Sequence, residues 1–350
     1  MLTKIQINEI REHLERAQNP IFYYDNDCDG LCSFLLLRRF IGRGNGVSIR
    51  SYPELNKDYA RKAKELDADY VFVLDKPKIS REFVEEINSL GIPFVWIDHH
   101  EIQVEDFRKE FDNFFIYNPT LNFGKDKSDE PVSYLSYRIC NKKEDVWIAV
   151  MGCISDNYLP DFWSEFSERF SEYSGKVKGA FDVYYKTEIG NLARALNFGL
   201  KDSITNVVKL QKFLFLCSNP GEVLSESLGN KNFLRKFKEI RKKYDSLLEK
   251  AHKNISERLI FFIYAGESSI SSDIANALMY EFPDKYVIVL YKKGAVANVS
   301  IRGKNVRNIL EKVLEKMEHA SGGGHKDAVG ARIRAEDIEK FRELFEEEIR

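Results

Sequence analysis

Short apolar runs punctuate the first 120 positions, and between them apolar residues recur at helical spacing. Ile21–Tyr24, Tyr70–Leu74 (Y-V-F-V-L) and Pro93–Ile97 are uninterrupted, as strands buried on both faces should be. Gly46 to Ser51 alternates like a strand, and Phe114 to Tyr117 reads as a fifth. Helical patterns cover residues 3–17, 31–40, 57–66 and 80–89, the last with Ser80 placed to cap it. Strand and helix in alternation predict a mostly parallel sheet covered on both sides.

From Pro131 the pattern turns helical. Val146 to Ile154 is apolar and leads into Ser155-Asp156, and Lys231 to Lys250 predicts one long basic helix. Strand signals return at 259–264, 286–291 and 295–301, the last two a hairpin around Lys292-Lys293-Gly294. Helices are expected at 272–282, 306–320 and 335–348. The expected fold class is therefore α/β: an N-terminal, mostly parallel sheet domain (1–190), a helical connector (191–255) and a smaller C-terminal α/β domain (256–350).

Composition narrows the function classes. A chain of 350 residues with 43% hydrophobic and 31% charged positions has room for two cores and reads as soluble and globular. A net charge of −2 argues against a strongly basic, nonspecific nucleic-acid binder, though a basic groove can be balanced by acids elsewhere. The mixed, charged N-terminus is unlike a signal peptide, and no apolar run reaches membrane length. Five cysteines without a C-x-x-C pair or disulfide-type spacing point to a reducing cytoplasm. Cys28 and Cys32 lie beside acids but lack two further soft ligands for zinc.

The candidate chemistry sits at strand ends. The first apolar run passes into D-N-D-C-D-G, where Asp25, Asp27 and Asp29 crowd into five residues before a helix. Such carboxylates repel one another unless cations hold them. Asp75 ends a second buried run and Asp98-His99-His100 a third, while Asp156 follows a helix in G-C-I-S-D. A parallel sheet gathers its strand ends along one edge, so these groups can converge. Five or six carboxylates with one or two imidazoles suit two divalent ions ~3.5–4 Å apart, which can clamp a phosphate and activate water. Imidazole tilts the choice from Mg2+ to Mn2+. Each residue has a plainer reading alone: Asp75 or Asp156 as a cap, Asp98 as a histidine's orienting partner, the histidines as surface groups. All of these at the ends of apolar runs make a poor coincidence.

The sequence resembles the DHH phosphoesterase superfamily, named for the triplet found here at Asp98-His99-His100. D-N-D-C-D-G is similar to its first motif in the form typical of RecJ-like single-strand exonucleases, V-L-D at Val73 to Asp75 to the second, and Gly152 to Asp156 to the fourth. S-G-G-G-H-K-D-A-V-G-A, Ser321 to Ala331, is similar to the motif of the associated DHHA1 domain. The resemblance implies two Mn2+ ions, with Mg2+ as the alternative, held by Asp27, Asp29, Asp75, His99 and Asp156, Asp75 bridging. Asp25 would be a ligand or an anchor behind the ligands, Asp98 would orient the histidines and His100 would face the phosphate. Small-molecule members carry a histidine where this chain has Tyr23, which favours the RecJ-like branch.

In the second domain three glycines let backbone N–H groups approach an anion, and His325 adds a donor. A flexible turn is the plainer account of Gly322, Gly323 and Gly324; the following His325 and A-V-G-A favour a built loop. Arg302, ending N-V-S-I-R, can hold a phosphate bidentately, and Ser300 joins it through the family's S-x-R element. The basic helix at 231–250 can track a nucleic-acid backbone. Its Phe233, Leu234, Phe237 and Ile240 keep amphipathic spacing, so a solvated charged face is the preferred reading.

The implied activity is a metal-dependent phosphodiesterase that shortens single-stranded DNA or RNA from an end, in replication or repair, with a cleft between the domains that admits one strand. Two rivals stand beside it. One is a small-nucleotide enzyme acting on short oligoribonucleotides, cyclic dinucleotides or a 3′-phosphoadenosine nucleotide. The other is a replisome scaffold of the Cdc45-like class, whose members lose the metal-binding acids that this chain keeps. Expected partners are single-stranded nucleic acid or a short oligonucleotide, replication or repair proteins and further copies of the chain, but no membrane.

Overall fold

Thr3 starts the first helix, α1 (Lys4–Arg16): its hydroxyl accepts from the Gln6 N–H, and the Gln6 side chain returns to the Thr3 N–H. The chain then enters β1 (Pro20–Asp25) and α2 (Cys28–Ile41), which Gly42 ends in the left-handed region at φ 73°. β2 (Asn45–Ile49), β3 (Tyr70–Leu74), α3 (Arg81–Ser89), β4 (Phe94–Ile97) and β5 (Phe114–Tyr117) follow. Ser80 caps α3, as its sequence predicts. This computed structural model describes residues 1–51, 54–102, 107–123 and 130–349, the side chains at 108, 109, 123 and 325 excepted.

The five strands form one parallel sheet in the order β2-β1-β3-β4-β5. From β1 the chain steps out to β2, then returns past β1 to β3. The switch point therefore lies between β1 and β3, where open α/β sheets place their sites. Alternate residues serve opposite cores. Ile21, Tyr23, Val71, Val73, Phe94 and Trp96 pack with Phe83, Val84 and Ile87 of α3. Phe22, Tyr24, Phe72, Leu74, Val95 and Ile97 face the other way, onto α2 and onto α4 (Val132–Cys140), α5 (Val146–Ser155), α6 (Glu188–Gly199) and α7 (Ile204–Leu216). Cover on both faces explains why these runs carry no polar alternation. Two-residue strands, Glu54–Leu55 and Lys78–Ile79, also pair in parallel, too short to register in the pattern.

Helix α8 (Lys231–His252) crosses the boundary between two compact units, Met1–Phe237 and Lys238–Arg350. The second unit holds β6 (Leu259–Ala265), α9 (Ser271–Glu281), β7 (Tyr286–Lys293), β8 (Val296–Arg302), α10 (Val306–Glu315), β9 (Ser321–His325), β10 (Ala328–Arg334) and α11 (Ile338–Glu348). Its sheet runs β9-β10-β8-β7-β6; β6 and β7 pair in parallel and the rest are antiparallel. Gly294 makes the expected β7–β8 turn at φ 60°. Leu310, Val313, Phe341 and Phe345 from α10 and α11 close the core over Ile288, Leu290, Val299 and Ile301. The glycines expected as a loop are instead an edge strand: Gly322 lies opposite Ala331, Gly323 opposite Gly330 and Gly324 opposite Val329. Among the described residues no helix is long and apolar enough to cross a membrane.

Candidate metal centre

The acid turn is held by its own backbone. Asp27 caps α2, its carboxylate accepting the Gly30 N–H at 2.9 Å, and its N–H reaches back to the Asp25 carbonyl at 2.9 Å. A Cβ at position 30 would lie 2.4 Å from that carbonyl oxygen, so only glycine allows the approach. Asp29, buried, accepts the Val132 and Ser133 N–H groups at 2.8 and 2.9 Å. These are the open donors at the start of α4, where a negative charge is favoured.

Asp75 leaves β3 at φ 56°, a left-handed conformation that costs a non-glycine residue of order 1 kcal/mol and aims its side chain off the sheet edge. His99 Nε2 stands 3.4 Å from Asp75 Oδ1 and 3.4 Å from Asp156 Oδ2. Asp98, fully buried, receives the His100 N–H at 2.9 Å and meets its Nδ1 at 3.0 Å. His100 Nδ1 is 3.9 Å from Asp75 Oδ1. Potential ligand atoms of Asp75, His99 and His100 fall within 4.8 Å of one another, and so do those of Asp29, His99 and Asp156. Segments more than 120 residues apart in sequence thus meet at one place.

Charge in this ring is under strain. Burial first, then the neighbouring charges of Asp25 and Asp29, push Asp27 up to about 7. Asp75 and Asp156 are raised well above the carboxylate range by burial and by the acids around them. Burial works against a charged His100, but Asp98 outweighs it and lifts the imidazole to about 9. In return His100 overcomes the burial of Asp98 and holds that carboxyl below its ordinary value. Oxygen donors with imidazole suit divalent cations. Asp75 Oδ1 is buried without a hydrogen-bond partner among the described residues, which fits a group that awaits a cation.

Two family models match the chain: the DHH family N-terminal domain over residues 21–122 and the DHHA1 domain over residues 258–350. The chain belongs to the DHH family. Divalent metal suits its acid ring. Solved structures of this fold include RecJ from Thermus thermophilus in complex with Mn2+, at TM-score 0.67 and 14% identity, covering 97% of this chain and 53% of that one. This DHH protein thus spans about half the length of that RecJ. An exonuclease RecJ bound to manganese matches at TM-score 0.63 and 13% identity, covering 99% and 94%. A DHH domain from a protein described as a member of a family of ribosomal proteins matches at 0.69 and 14%, covering 99% and 89%. No curated protein matches the sequence significantly.

In the DHHA1 domain the Ser300 hydroxyl lies 2.9 Å from that of Ser271, and Arg302 donates from Nε to Asn276 at 2.5 Å. Arg302 Nη1 also donates to the Ile301 carbonyl at 2.8 Å. Gly322, Gly323 and Gly324 are exposed; the backbone of His325 ends β9, and its side chain lies outside the described residues. Tyr23, where small-molecule members keep a histidine, is a core residue: it packs edge-on to Phe83 and donates to the Tyr59 carbonyl.

Sequence reasoning missed three supports of the ring. Lys76 is fully buried and meets Asp25 Oδ1 at 2.9 Å. Asn118, also buried, donates to the His100 carbonyl at 2.9 Å and to Asp98 at 3.4 Å. The α4 amides hold Asp29. The lysine alone left a signal, as a charge directly after a continuous apolar strand and its acid.

Proposed function

We propose that this DHH protein is a Mn2+-dependent, RecJ-like exonuclease that hydrolyses single-stranded DNA or RNA from an end, in replication or repair, in the cytoplasm. One observation carries the reading: His99 lies 3.4 Å from both Asp75 and Asp156, each from a different segment, over a buried carboxylate oxygen with no hydrogen-bond partner among the described residues. The fold likeness to an exonuclease RecJ bound to manganese supports the choice of ion and of exonuclease activity. Two Mn2+ ions, or Mg2+ in their place, would be held by Asp27, Asp29, Asp75, His99 and Asp156, Asp75 bridging. When bound, such ions polarise a phosphoryl oxygen and lower the pKa of water.

The chain's own groups do the rest. Asp98 fixes the ring of His100 through Nδ1, and its charge favours the protonated imidazole. Its Nε2–H can then donate to a non-bridging phosphate oxygen as negative charge builds there. Ser300, Arg302, Gly322, Gly323, Gly324 and His325 would bind phosphates of the strand. Five free, buried cysteines suit a reducing compartment. Partners on this reading are single-stranded nucleic acid and the replication or repair proteins that expose it.

The test compares end-labelled single strands, a duplex and a dinucleotide, each with Mn2+, Mg2+ or EDTA. Processive loss of mononucleotides from the single strand alone, with metal alone, is the expected result. Turnover confined to the dinucleotide would replace the exonuclease reading with a small-nucleotide one.

A further inference from the structure

Lys76 directly follows Asp75, and its side chain is fully buried. Its Nζ donates to Asp25 Oδ1 at 2.9 Å and to the Ser51 carbonyl at 2.8 Å. Its own carbonyl accepts from the Trp96 indole at 3.0 Å. Asp25 ends β1, Ser51 follows β2, Lys76 follows β3 and Trp96 lies in β4. One residue therefore ties four neighbouring strands together at the edge where the acids gather. A strand clamp could be neutral. A buried cation is costly to desolvate unless an opposite charge meets it. Here that charge is Asp25, whose Oδ1 also accepts the Asn26 N–H at 3.0 Å.

We propose that Lys76 is a positioning residue for the cation pocket: an internal cation that engages Asp25, withholds it from the metal ions and fixes the acid turn against the end of β3. The proposal rests on the two-cation reading above. It makes Asp25 an anchor rather than a ligand, and leaves the ions to Asp27, Asp29, Asp75, His99 and Asp156. It also makes the pocket less negative by one charge than its acids alone would.

The experiment titrates Mn2+ into the metal-free full-length chain by calorimetry, with turnover measured alongside. The parent should take up two ions. Lys76→Met should bind Mn2+ roughly threefold more tightly or better, because a compensating charge is lost and Asp25 is released into the ring. Its kcat at saturating Mn2+ should fall about tenfold as the turn loses its anchor. A structural role alone would weaken both quantities together. Asp25→Asn with Lys76→Met removes both charges, so no lone ion is buried, and should keep two Mn2+ ions at parental affinity. Equal or weaker Mn2+ binding by Lys76→Met overturns the proposal, as does loss of an ion in the double variant, which would make Asp25 a ligand. Should Lys76→Met fail to fold, the double variant decides. A parent that binds no Mn2+ sinks the two-cation reading itself, and this inference with it.

Discussion

The two units both carry glycine and charge at a sheet, yet they use them in opposite ways. In the first, a parallel sheet sends buried carboxylates off its strand ends, and side chains such as Asp29, Asp75 and Asp98 lie almost wholly out of water. In the second, a mostly antiparallel sheet ends in an exposed strand of glycines, which on the proposed function would offer backbone N–H groups to a phosphate. Burial makes each charge at the first site count for more, and so favours a proton or a cation beside it. Exposure at the second suits the reversible holding of an anion already hydrated. On the proposed function, chemistry and recognition would use different dielectric surroundings, each drawn from a different sheet geometry.

The sharpest way to break this contrast is to remove a buried acid. Asp75→Ala should lower hydrolysis at least about 10³-fold, since both ions lose their shared ligand. The same variant should melt no lower than the parent in EDTA, because it relieves repulsion in the ring. A variant with near-parental turnover would show that the buried acids are not the catalytic centre.

Acidity offers a second lever. Asp27, at about 7, and the more strongly raised Asp75 and Asp156 bind protons more tightly folded than unfolded. The stability this gives is complete below the unfolded carboxylate pKa and is lost as pH rises through the folded values. His100 acts in the same sense up to about 9. Asp98 acts oppositely, but only at pH values below the ordinary carboxylate range. Metal-free protein should therefore melt several degrees lower at about pH 9 than at about pH 5, and Mn2+ should remove most of the difference. Melting curves in EDTA and in Mn2+ check this; a metal-free midpoint that climbs with pH would contradict it.

The second unit should respond more mildly. Arg302→Ala should raise KM for a single strand about tenfold and leave Mn2+ affinity unchanged. Smaller still is the contrast within the glycine strand. Gly324 has φ 141°, and a Cβ there would sit 2.7 Å from the Ala328 carbonyl oxygen. A Cβ at Gly323 would meet nothing within 4 Å. Gly324→Ala should cost about 1–3 kcal/mol of stability, while Gly323→Ala should stay within about 0.5 kcal/mol. Chemical denaturation separates the two.

Much of this was legible in the sequence, for identifiable reasons. Y-V-F-V-L could only be a buried strand, and it is β3 residue for residue. D-N-D-C-D-G announced a turn, but the glycine is not where it lies: α2 already begins at Cys28, and Gly30, a helical residue, is needed because the backbone there packs on Asp25. The partners of the acids were not legible. Val132 and Ser133 hold Asp29 through backbone N–H groups, which every residue but proline carries. Asn118 lies some 20 residues from its partner Asp98, in no pattern that periodicity reveals. S-G-G-G-H misled because glycine is at home in loops, whereas here its missing side chains let β9 lie close against β10: a Cβ at Gly322 would sit 2.7 Å from the Gly330 carbonyl oxygen.

The account stands or falls on a pair of cations at the ends of β1, β3 and β4. Anomalous diffraction from crystals of the full chain soaked in Mn2+ tests it most directly. Two peaks about 3.5–4 Å apart, both within ligand distance of Asp75 and flanked by His99 and Asp156, are the predicted result. A ring with no peak, or Mn2+ bound only elsewhere on the surface, would contradict it.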